Sequence, residues 1–340
     1  MKRSLAAISL MAVSALTLVG CTDSADPAPD PVTSDTTTTE APEATDDATA
    51  DGEPIQVRVA ALPIAETGAL WAAMEEGIFA DHGLEIEVVP AQGGAQAIPA
   101  LLSGDIDFAI GQPFGPFRAN LQNLGAVIIG NYASANESGK DVNAVVALDS
   151  SGIEGPADLA GKRVSVNSLG AAGDVTIMKA VEDAGGDPST IQFVEVAFPD
   201  APAQLEAENI DAAWVPDPFM SIVDGGAGHI VMHPYQETIP GLSLLTNITL
   251  QKTIDENRDL VESYAAAMEE ALSWASENEE AVRAAIATNM NIPPEAAAGI
   301  TLPQFTWDLD TGDLEELVEI AVGYGVLDEA PDFSTLIVAF

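Results

Sequence analysis

The chain has 340 residues, with 54 acidic and 11 basic side chains, and therefore a formal net charge of −43 at pH 7. Because nucleic-acid phosphates need Lys and Arg partners, this balance argues against a nucleic-acid-binding protein. A single cysteine, Cys21, excludes an internal disulfide framework and leaves no thiol for catalysis or metal binding in the rest of the chain.

The first 21 residues have the layout of a secretory signal. Lys2 and Arg3 give a positive start, and residues 5–19 form an uncharged apolar run, shorter than the roughly 20 residues of a membrane-spanning helix. The run ends in Leu-Val-Gly-Cys, which resembles a bacterial lipobox. We therefore predict a lipoprotein signal peptide with a lipobox over residues 1–21, and a mature protein that begins at a lipidated (diacylglycerol, palmitate) Cys21. The alternative is an ordinary signal peptide with an incidental cysteine.

Residues 22–54 predict a tether. They contain ten acidic residues, no basic residue and hardly an aliphatic one. Such a segment cannot bury enough apolar area to offset its ordering entropy, and its charge and proline content keep it extended. We expect a disordered acidic tether between the lipid and the folded part.

Two series of alternating strands and helices follow, in a stretch long enough for two domains. The first series predicts strands at 55–62, 84–89 and 108–110 and helices at 69–79 and 95–102. The second predicts strands at 162–167, 191–196 and 212–215 and helices at 174–184 and 201–207. This order favours an α/β fold with largely parallel sheets.

The two series read as an internal repeat. Residues 101–109 and 205–213 share Leu, Ile-Asp and a final Ala at an offset of 104. The first strands match at an offset of 107, which places Val57 over Val164. Several units in one order at similar spacing predict two equivalent βαβ-repeat lobes.

The last segment is predicted to be mainly helical. Apolar residues recur at three-and-four spacing in 261–275 and again in 317–324. We expect this segment to return to the first lobe, after chain crossings at 142–148 and near 244–250 that together form a hinge. The predicted boundaries are 55–147 with 247–340 for lobe one and 148–246 for lobe two.

Over nearly all of residues 55–340 the chain resembles the solute-binding proteins of ABC importers for nitrate, sulfonates, taurine and thiamine-type pyrimidines. The motifs that carry the resemblance are residues 57–60, 73–79, 101–109, 158–164, 210–213 followed by 217–218, and 277–278. The resemblance implies a two-lobed, type II periplasmic-binding-protein-like fold with a two-crossing hinge and a helical C-terminal segment. It also implies delivery of a small solute to permease and ATPase subunits.

The binding site is expected beyond the carboxyl ends of the strands, where helix N-termini offer free amides. The turns there supply the predicted ligand contacts, which are Ile64, Glu66, Thr67, Gln92, Gly93, Gly94, Gln112, Phe114, Asn131, Ser168, Gly173, Asp174 and Asp217. Glu66 and Asp217 stand out because they are charged, lie in the predicted cleft and are not needed by their turns.

Some of these residues have structural alternatives. Asp174 suits a helix N-cap equally well, and Phe114 and Trp214 suit the core. Asp107 and Asp211 match across the repeat, so a structural role is expected for them.

The predicted turns carry acids and no base, and the nearest base is Arg118, four residues beyond Phe114. A neutral or cationic nitrogen-containing ligand, such as a thiamine-type pyrimidine, is therefore favoured. Nitrate, an alkanesulfonate or taurine is the alternative, because an anion can be held by helix N-terminal amides alone.

An enzyme is the first rival interpretation, since the resemblance extends to a desulfinase-type hydrolase. That chemistry needs a Cys nucleophile, and there is no Gly-x-Ser-x-Gly elbow or Walker phosphate loop either. His229 and His233 are too weak a pair to predict a metal. We expect no catalytic residue, cofactor or metal, but an extracytoplasmic, lipid-anchored monomer. A ligand-sensor module is the second rival and stays open.

Overall fold

The computed structural model describes residues 53–91 and 94–340. The predicted signal peptide, Cys21 and nearly all of the predicted tether lie outside the described residues, as do Gln92 and Gly93. Within the described ranges, every helix is too short or too polar to cross a membrane.

The described residues form eleven strands and fourteen helices. The strands are β1 (Ile55–Ala61), β2 (Leu84–Pro90), β3 (Phe108–Gly111), β4 (Ala126–Ser134), β5 (Asn143–Leu148), β6 (Arg163–Val166), β7 (Gln192–Glu195), β8 (Ala212–Pro216), β9 (Gly228–Met232), β10 (Ser243–Leu250) and β11 (Gln304–Phe305). The helices are α1 (Gly68–Glu76), α2 (Ile78–Asp81), α3 (Gly94–Ser103), α4 (Phe114–Leu121), α5 (Ala172–Asp183), α6 (Ala201–Glu206), α7 (Phe219–Asp224), α8 (Pro234–Thr238), α9 (Gln251–Glu256), α10 (Arg258–Glu277), α11 (Glu279–Asn289), α12 (Pro294–Ala297), α13 (Thr311–Gly323) and α14 (Phe333–Leu336).

The strands form two sheets, with the orders β11-β4-β10-β3-β1-β2 and β7-β6-β8-β5-β9. In the first sheet β1 runs parallel to β2 and β3, and β10 runs antiparallel to β3 and β4. In the second, β6 runs parallel to β7 and β8, and β5 runs antiparallel to β8 and β9. The sheets are therefore mixed rather than largely parallel. The first strand after each crossing, β5 in the second sheet and β10 in the first, runs antiparallel to the neighbouring parallel strand.

The chain crosses between the two sheets twice, through residues 135–142 and residues 239–242. The amide of Ala135 donates a hydrogen bond to the carbonyl of Leu242 at 2.9 Å, so the two segments lie side by side. The residues predicted as crossings are instead the strands β5 and β10, which belong to the second and first sheet respectively. The predicted lobe boundaries stay predictions, since the sheet membership changes a few residues before them.

The pairing of strands revises the predicted repeat. Val59 pairs with Phe108 and Val164 pairs with Ala212. Since Phe108 and Ala212 are equivalent at the predicted offset of 104, Val164 corresponds to Val59 and not to Val57. A shift of two residues leaves every side chain on the same face of a strand, so alternation alone does not fix it.

The burial pattern shows why these segments form strands. β3 is buried along its whole length, as its continuous apolar sequence requires for a central strand. At the sheet edge, β2 alternates buried Leu84 and Ile86 with exposed Glu85 and Glu87. The predicted helix at 69–79 divides at Gly77, whose left-handed φ of 91° ends α1.

Helix α10 packs onto the first sheet, as its predicted apolar stripe requires. On α10, Tyr264 and Met268 are among the buried stripe residues, and Tyr264 stacks on Phe108 of β3 with ring centroids 3.7 Å apart. The Tyr264 hydroxyl donates to Asn247 Oδ1 at 2.9 Å. Burying a large side chain stabilises the fold by about 1.5–3 kcal/mol, and here the buried hydroxyl also has its partner.

Candidate ligand-binding site

A cavity lies between the two sheets, at the carboxyl ends of the parallel strands. About 30 Å³ of it is open to the centre of a water molecule, within about 550 Å³ of empty space that includes its opening to solvent. The first-sheet side contributes Leu62, Ile64, Glu66, Gln112, Phe114, Gly115, Leu244 and Leu245. The second-sheet side contributes Asn143, Asn167, Ser168, Ala171, Phe198, Trp214, Pro216 and Tyr235.

Aromatic rings form much of the second-sheet wall. Trp214 meets Tyr235 edge-on, with centroids 5.6 Å apart, and meets Phe198 in the same way at 5.5 Å. Phe114 faces the cavity from the first sheet. Aromatic side chains on both sides of the cavity suit a partly apolar ligand.

Gly173 positions the Trp214 ring, although it does not line the cavity. A Cβ at Gly173 would lie 2.9 Å from Cε3 of Trp214, which is closer than carbon atoms pack. Only glycine therefore lets the start of α5 pack this tightly on the indole, and Gly173 acts on the cavity through Trp214.

Among the described residues that line the cavity, Glu66 is the only one with a carboxyl group, and it is 3% exposed. Burial raises its pKa to about 8, and the charges of Asp217 and Asp141 add to the effect. Among the described residues, no group hydrogen-bonds to its Oε2. A buried oxygen without a partner costs free energy, so a ligand N–H or a cation at this point would be stabilising.

Gln112 joins the two sides of the cavity. Its Nε2 donates to the Tyr235 hydroxyl at 3.0 Å, and its Oε1 accepts from the amide of Ala172 at 3.3 Å. Both partners belong to the second-sheet side, whereas Gln112 follows β3 of the first sheet. The two sides are therefore in direct contact in this structure.

The structure brings five of the predicted residues to the cavity lining. They are Ile64, Glu66, Gln112, Phe114 and Ser168. Their roles in binding stay predictions, since no ligand contact tests them.

Two other predicted residues, Thr67 and Asn131, lie elsewhere. Thr67 is buried, and its hydroxyl donates to the carbonyl of Leu62 at 2.6 Å. Asn131 is buried within β4, where its Nδ2 donates to Ser134 Oγ at 3.0 Å. Gly94 begins α3. Thr67 and Asn131 are therefore bonded to nearby residues of their own turn and strand.

The two predicted acidic contacts on the second-sheet side are used by the backbone. Asp174 Oδ1 accepts from the amide of Ala171 at 2.7 Å and its Oδ2 from the amide of Gly170 at 2.5 Å. Asp174 therefore caps α5 from its third helical position, and the N-cap residue is Ala171, not Asp174. Asp217 Oδ1 accepts from the amide and hydroxyl of Ser221, at 3.1 and 2.6 Å. The interpretation that its turn does not need Asp217 is therefore wrong, because this carboxyl holds the start of α7.

Several lining residues were not among the predicted contacts. Asn143, Leu244 and Leu245 come from the ends of the strands next to the crossings, and Tyr235 comes from the short helix α8. Asn143 did carry a signal, because it is the one polar residue in the apolar run of β5. Trp214, weighed as core, is buried and also faces the cavity.

No Lys, Arg or His stands among the described residues that line the cavity. Arg118 lies behind Phe114, with its guanidinium carbon 5.6 Å from the ring centroid, and it donates to the carbonyl of Gly170. Partial burial lowers the pKa of Arg118. An anion in the cavity would therefore lack a cationic partner and would meet Glu66.

The two spaced histidines have separate partners. His229 bonds through Nδ1 to Asp149 at 3.0 Å, and His233 bonds through Nδ1 to the carbonyl of Asn143 at 2.8 Å. Across residues 53–91 and 94–340, no three His, Cys, Asp or Glu side chains stand close enough together to hold a metal ion.

Comparisons with known proteins agree with this fold. A family model described as NMT1/THI5 like matches residues 65–282. The formylaminopyrimidine-binding protein of Halalkalibacterium halodurans is 23% identical over 243 residues, which cover 70% of this chain and 71% of that protein.

Two solved structures extend the comparison. The alkanesulfonate-binding protein SsuA of Xanthomonas axonopodis pv. citri, bound to MOPS, has a TM-score of 0.71 at 15% identity, covering 85% of this chain and 100% of that one. The desulfurization enzyme DSZB has a TM-score of 0.64 at 16% identity, covering 84% of this chain and 96% of its own. At these identities the likeness concerns the fold, and it confirms the predicted two-lobed periplasmic-binding-protein-like architecture.

Proposed function

The chain belongs to the NMT1/THI5-like family, and from this premise we propose that it is the substrate-binding lipoprotein of an ABC importer. It captures a neutral or cationic nitrogen heteroaromatic solute, of the thiamine-type pyrimidine class, between its two sheets. The observation that carries the proposal is the buried Glu66, whose Oε2 lacks a partner among the described residues of an aromatic cavity.

Three features of the cavity support this ligand class. The aromatic side chains of Phe114 and Trp214 give the lining apolar surface that suits a heteroaromatic ring. Glu66 offers an acceptor for a ligand N–H. The described lining has no base with which to neutralise a sulfonate or nitrate. The name of the formylaminopyrimidine-binding relative is consistent with this choice.

The cavity also supports binding rather than catalysis. Ser168 is its only alcohol besides the Tyr235 phenol, and no His or Cys stands beside it on the described lining to activate it. The likeness to the desulfurization enzyme concerns the fold alone. Turnover of a sulfinate by the purified protein would contradict the binding function.

The test is a thermal-shift and calorimetric screen of 4-aminopyrimidines against taurine, alkanesulfonates and nitrate. A ligand at 100 times its Kd should add about 2.7 kcal/mol to the free energy of unfolding, which raises Tm by several degrees. We expect the aminopyrimidines to stabilise the protein and the anions to have no effect. Stabilisation by anions alone would overturn the proposed ligand class.

The membrane attachment rests on Cys21. We propose that its thiol carries the lipid, so that residues 22–54 tether an extracytoplasmic binding module beside its permease and ATPase partners. Replacing Cys21 by Ser should move the protein from the membrane fraction to the soluble fraction and remove the lipid mass from the N-terminal peptide. Ligand-dependent stimulation of the reconstituted permease–ATPase complex separates transport from the sensor alternative.

A further inference from the structure

The Trp214 indole fixes the orientation of the Asn143 side chain. Trp214 Nε1 donates a hydrogen bond to Asn143 Oδ1 at 3.0 Å, and both residues line the cavity. An indole N–H can only donate, so the amide atom facing it must be the oxygen. The Asn143 NH2 group must therefore point away from the indole, and within residues 53–91 and 94–340 it has no hydrogen-bond acceptor.

The indole is itself held on several sides. Phe198 and Tyr235 meet it edge-on, and Gly173 lets the backbone of α5 pack against its six-membered ring. Trp214 is 3% exposed. A ring packed this closely has one rotamer, so the amide that it orients is fixed before a ligand enters.

Glu66 has the opposite character and comes from the other sheet. It follows β1 of the first sheet, and its Oε2, to which no described residue hydrogen-bonds, accepts hydrogen bonds when ionised. Asn143 begins β5 of the second sheet and presents two N–H donors. A ligand that hydrogen-bonds to both residues must therefore offer a donor to the ionised Glu66 and an acceptor to Asn143.

We propose that Asn143, held by Trp214, is a specificity-determining residue that donates to a ring nitrogen of the ligand while Glu66 accepts from an exocyclic amino group. This inference rests on the proposed function and narrows it to rings with an amino group and an unsubstituted, unprotonated ring nitrogen. Trp214 is a positioning residue, because it orients the Asn143 amide, and that amide then selects a ligand with an acceptor.

The test compares two probes, 4-aminopyrimidine and 2,4-diaminopyrimidine. The second probe has one more amino group, which adds a hydrogen-bond donor to one edge of the ring. Calorimetry gives the Kd of each for the full chain and for Asn143→Asp, Trp214→Phe and Gly173→Ala. The Asp side chain still accepts from the indole, but it offers the ligand no N–H when ionised. We expect Asn143→Asp to weaken 4-aminopyrimidine binding by about tenfold or more and diaminopyrimidine binding much less.

Trp214→Phe retains a ring in the wall but releases the amide, and Gly173→Ala displaces the indole. In both variants we expect the ratio of the two Kd values to move toward one, which a loss of packing alone would not cause. The inference would be overturned if the ratio of the two Kd values equalled the wild-type ratio in Asn143→Asp and also in Trp214→Phe or Gly173→Ala. That result would leave the proposed function intact. Failure of the wild type to bind either probe would instead overturn the proposed function. If Trp214→Phe does not fold, the other two variants carry the test.

Discussion

Arg58 pairs with Asp107 through two guanidinium nitrogens, with Nε 3.2 Å from Oδ2 and Nη2 3.0 Å from Oδ1. The amide of Arg58 also donates to Oδ2 at 2.9 Å. In the second sheet Arg163 and Asp211 repeat the arrangement, with the corresponding distances 3.1, 2.8 and 2.7 Å. Each pair ties the first parallel strand of its sheet to the segment that enters the third, which is the structural role expected for the two matched acids.

Replacing Asp211 by Ala should therefore destabilise the fold and leave ligand affinity unchanged. The pair is partly exposed, so solvent screens it and most of the loss comes from the backbone hydrogen bond. We expect the free energy of unfolding to fall by about 1–2 kcal/mol. Denaturant unfolding measures the change, and Asp328→Ala, at an exposed position, is the control.

The pH dependence of that change has a defined sign. The hydrogen bond from Arg163 lowers the pKa of Asp211. A lowered pKa contributes stability above the ordinary pKa, and the contribution is lost as the pH falls through the lowered value. The gap between wild type and Asp211→Ala should therefore narrow in strong acid, and a gap that widens there would contradict this assignment.

The repeat shows what the sequence could and could not predict about the fold. The matched Ile-Asp motifs identified two equivalent units because each Asp performs the same task for an Arg of the first strand. The alignment of the first strands was wrong by two residues, because Val57 and Val59 point to the same side of β1. Only the Arg–Asp pairs and the strand pairing fix the register, and both depend on contacts distant in sequence.

Glu66 should make the stability of the ligand-free protein fall as the pH rises. Its pKa is raised from an ordinary value of 4.5 to about 8, so over that window the folded state keeps a proton that the unfolded state releases. Glu66→Gln removes this pH-dependent loss of stability, because the amide does not titrate. We expect the variant to gain stability relative to wild type as the pH rises from about 4.5 to 8, by an amount on the order of several kcal/mol.

The matched control is Glu76→Gln, at the exposed end of α1. Thermal unfolding of this variant, of Glu66→Gln and of wild type is measured at several pH values. Asp141, Asp174 and Asp217 also have raised pKa values because of burial, so the wild-type slope contains their contributions too. A difference between Glu66→Gln and wild type that does not vary with pH would contradict the assignment of this slope to Glu66.

The candidate site was predictable where a turn follows a strand and less so where long-range packing decides. Glu66 and Gln112 follow β1 and β3, and both reach the cavity as expected. Asp217 also follows a strand, but its carboxyl turns back to Ser221. Tyr235 could not be found from strand ends, because its place depends on how α8 returns toward the crossings.

Gly130 should tolerate no side chain. A Cβ there would lie 2.5 Å from Cε2 and Cζ2 of the Trp307 ring, so Gly130→Ala must displace the ring. We expect a loss of about 1–3 kcal/mol in the free energy of unfolding. Gly323→Ala is the control, because nothing lies within 4 Å of a Cβ there, and it should be neutral or stabilising by up to about 1 kcal/mol. Equal stabilities for the two variants would contradict the packing argument.

Arg118 should slow ligand release. It follows Phe114 on α4 of the first-sheet side, and its Nη2 donates to the carbonyls of Gly170, beyond β6, and of Val326, the latter at 3.4 Å. Separation of the two sides must break the bond to Gly170 together with those of Gln112. A Gln side chain is too short to form it, so Arg118→Gln makes the separated state less costly.

We therefore expect Arg118→Gln to raise the dissociation rate of a bound aminopyrimidine by about 5- to 20-fold, with a smaller change in the association rate. Stopped-flow fluorescence of Trp214, which lines the cavity, can follow the release. The matched control is Arg258→Gln on α10, since Arg258 also lies over an aromatic ring, that of Phe340 at 5.2 Å, but bonds within its own helix to Glu262. If both variants release ligand at the wild-type rate, the contact between Arg118 and Gly170 does not hold the two sides together. A faster release in Arg118→Gln alone would assign that task to the guanidinium, because loss of a surface cation and of a ring contact is common to both variants.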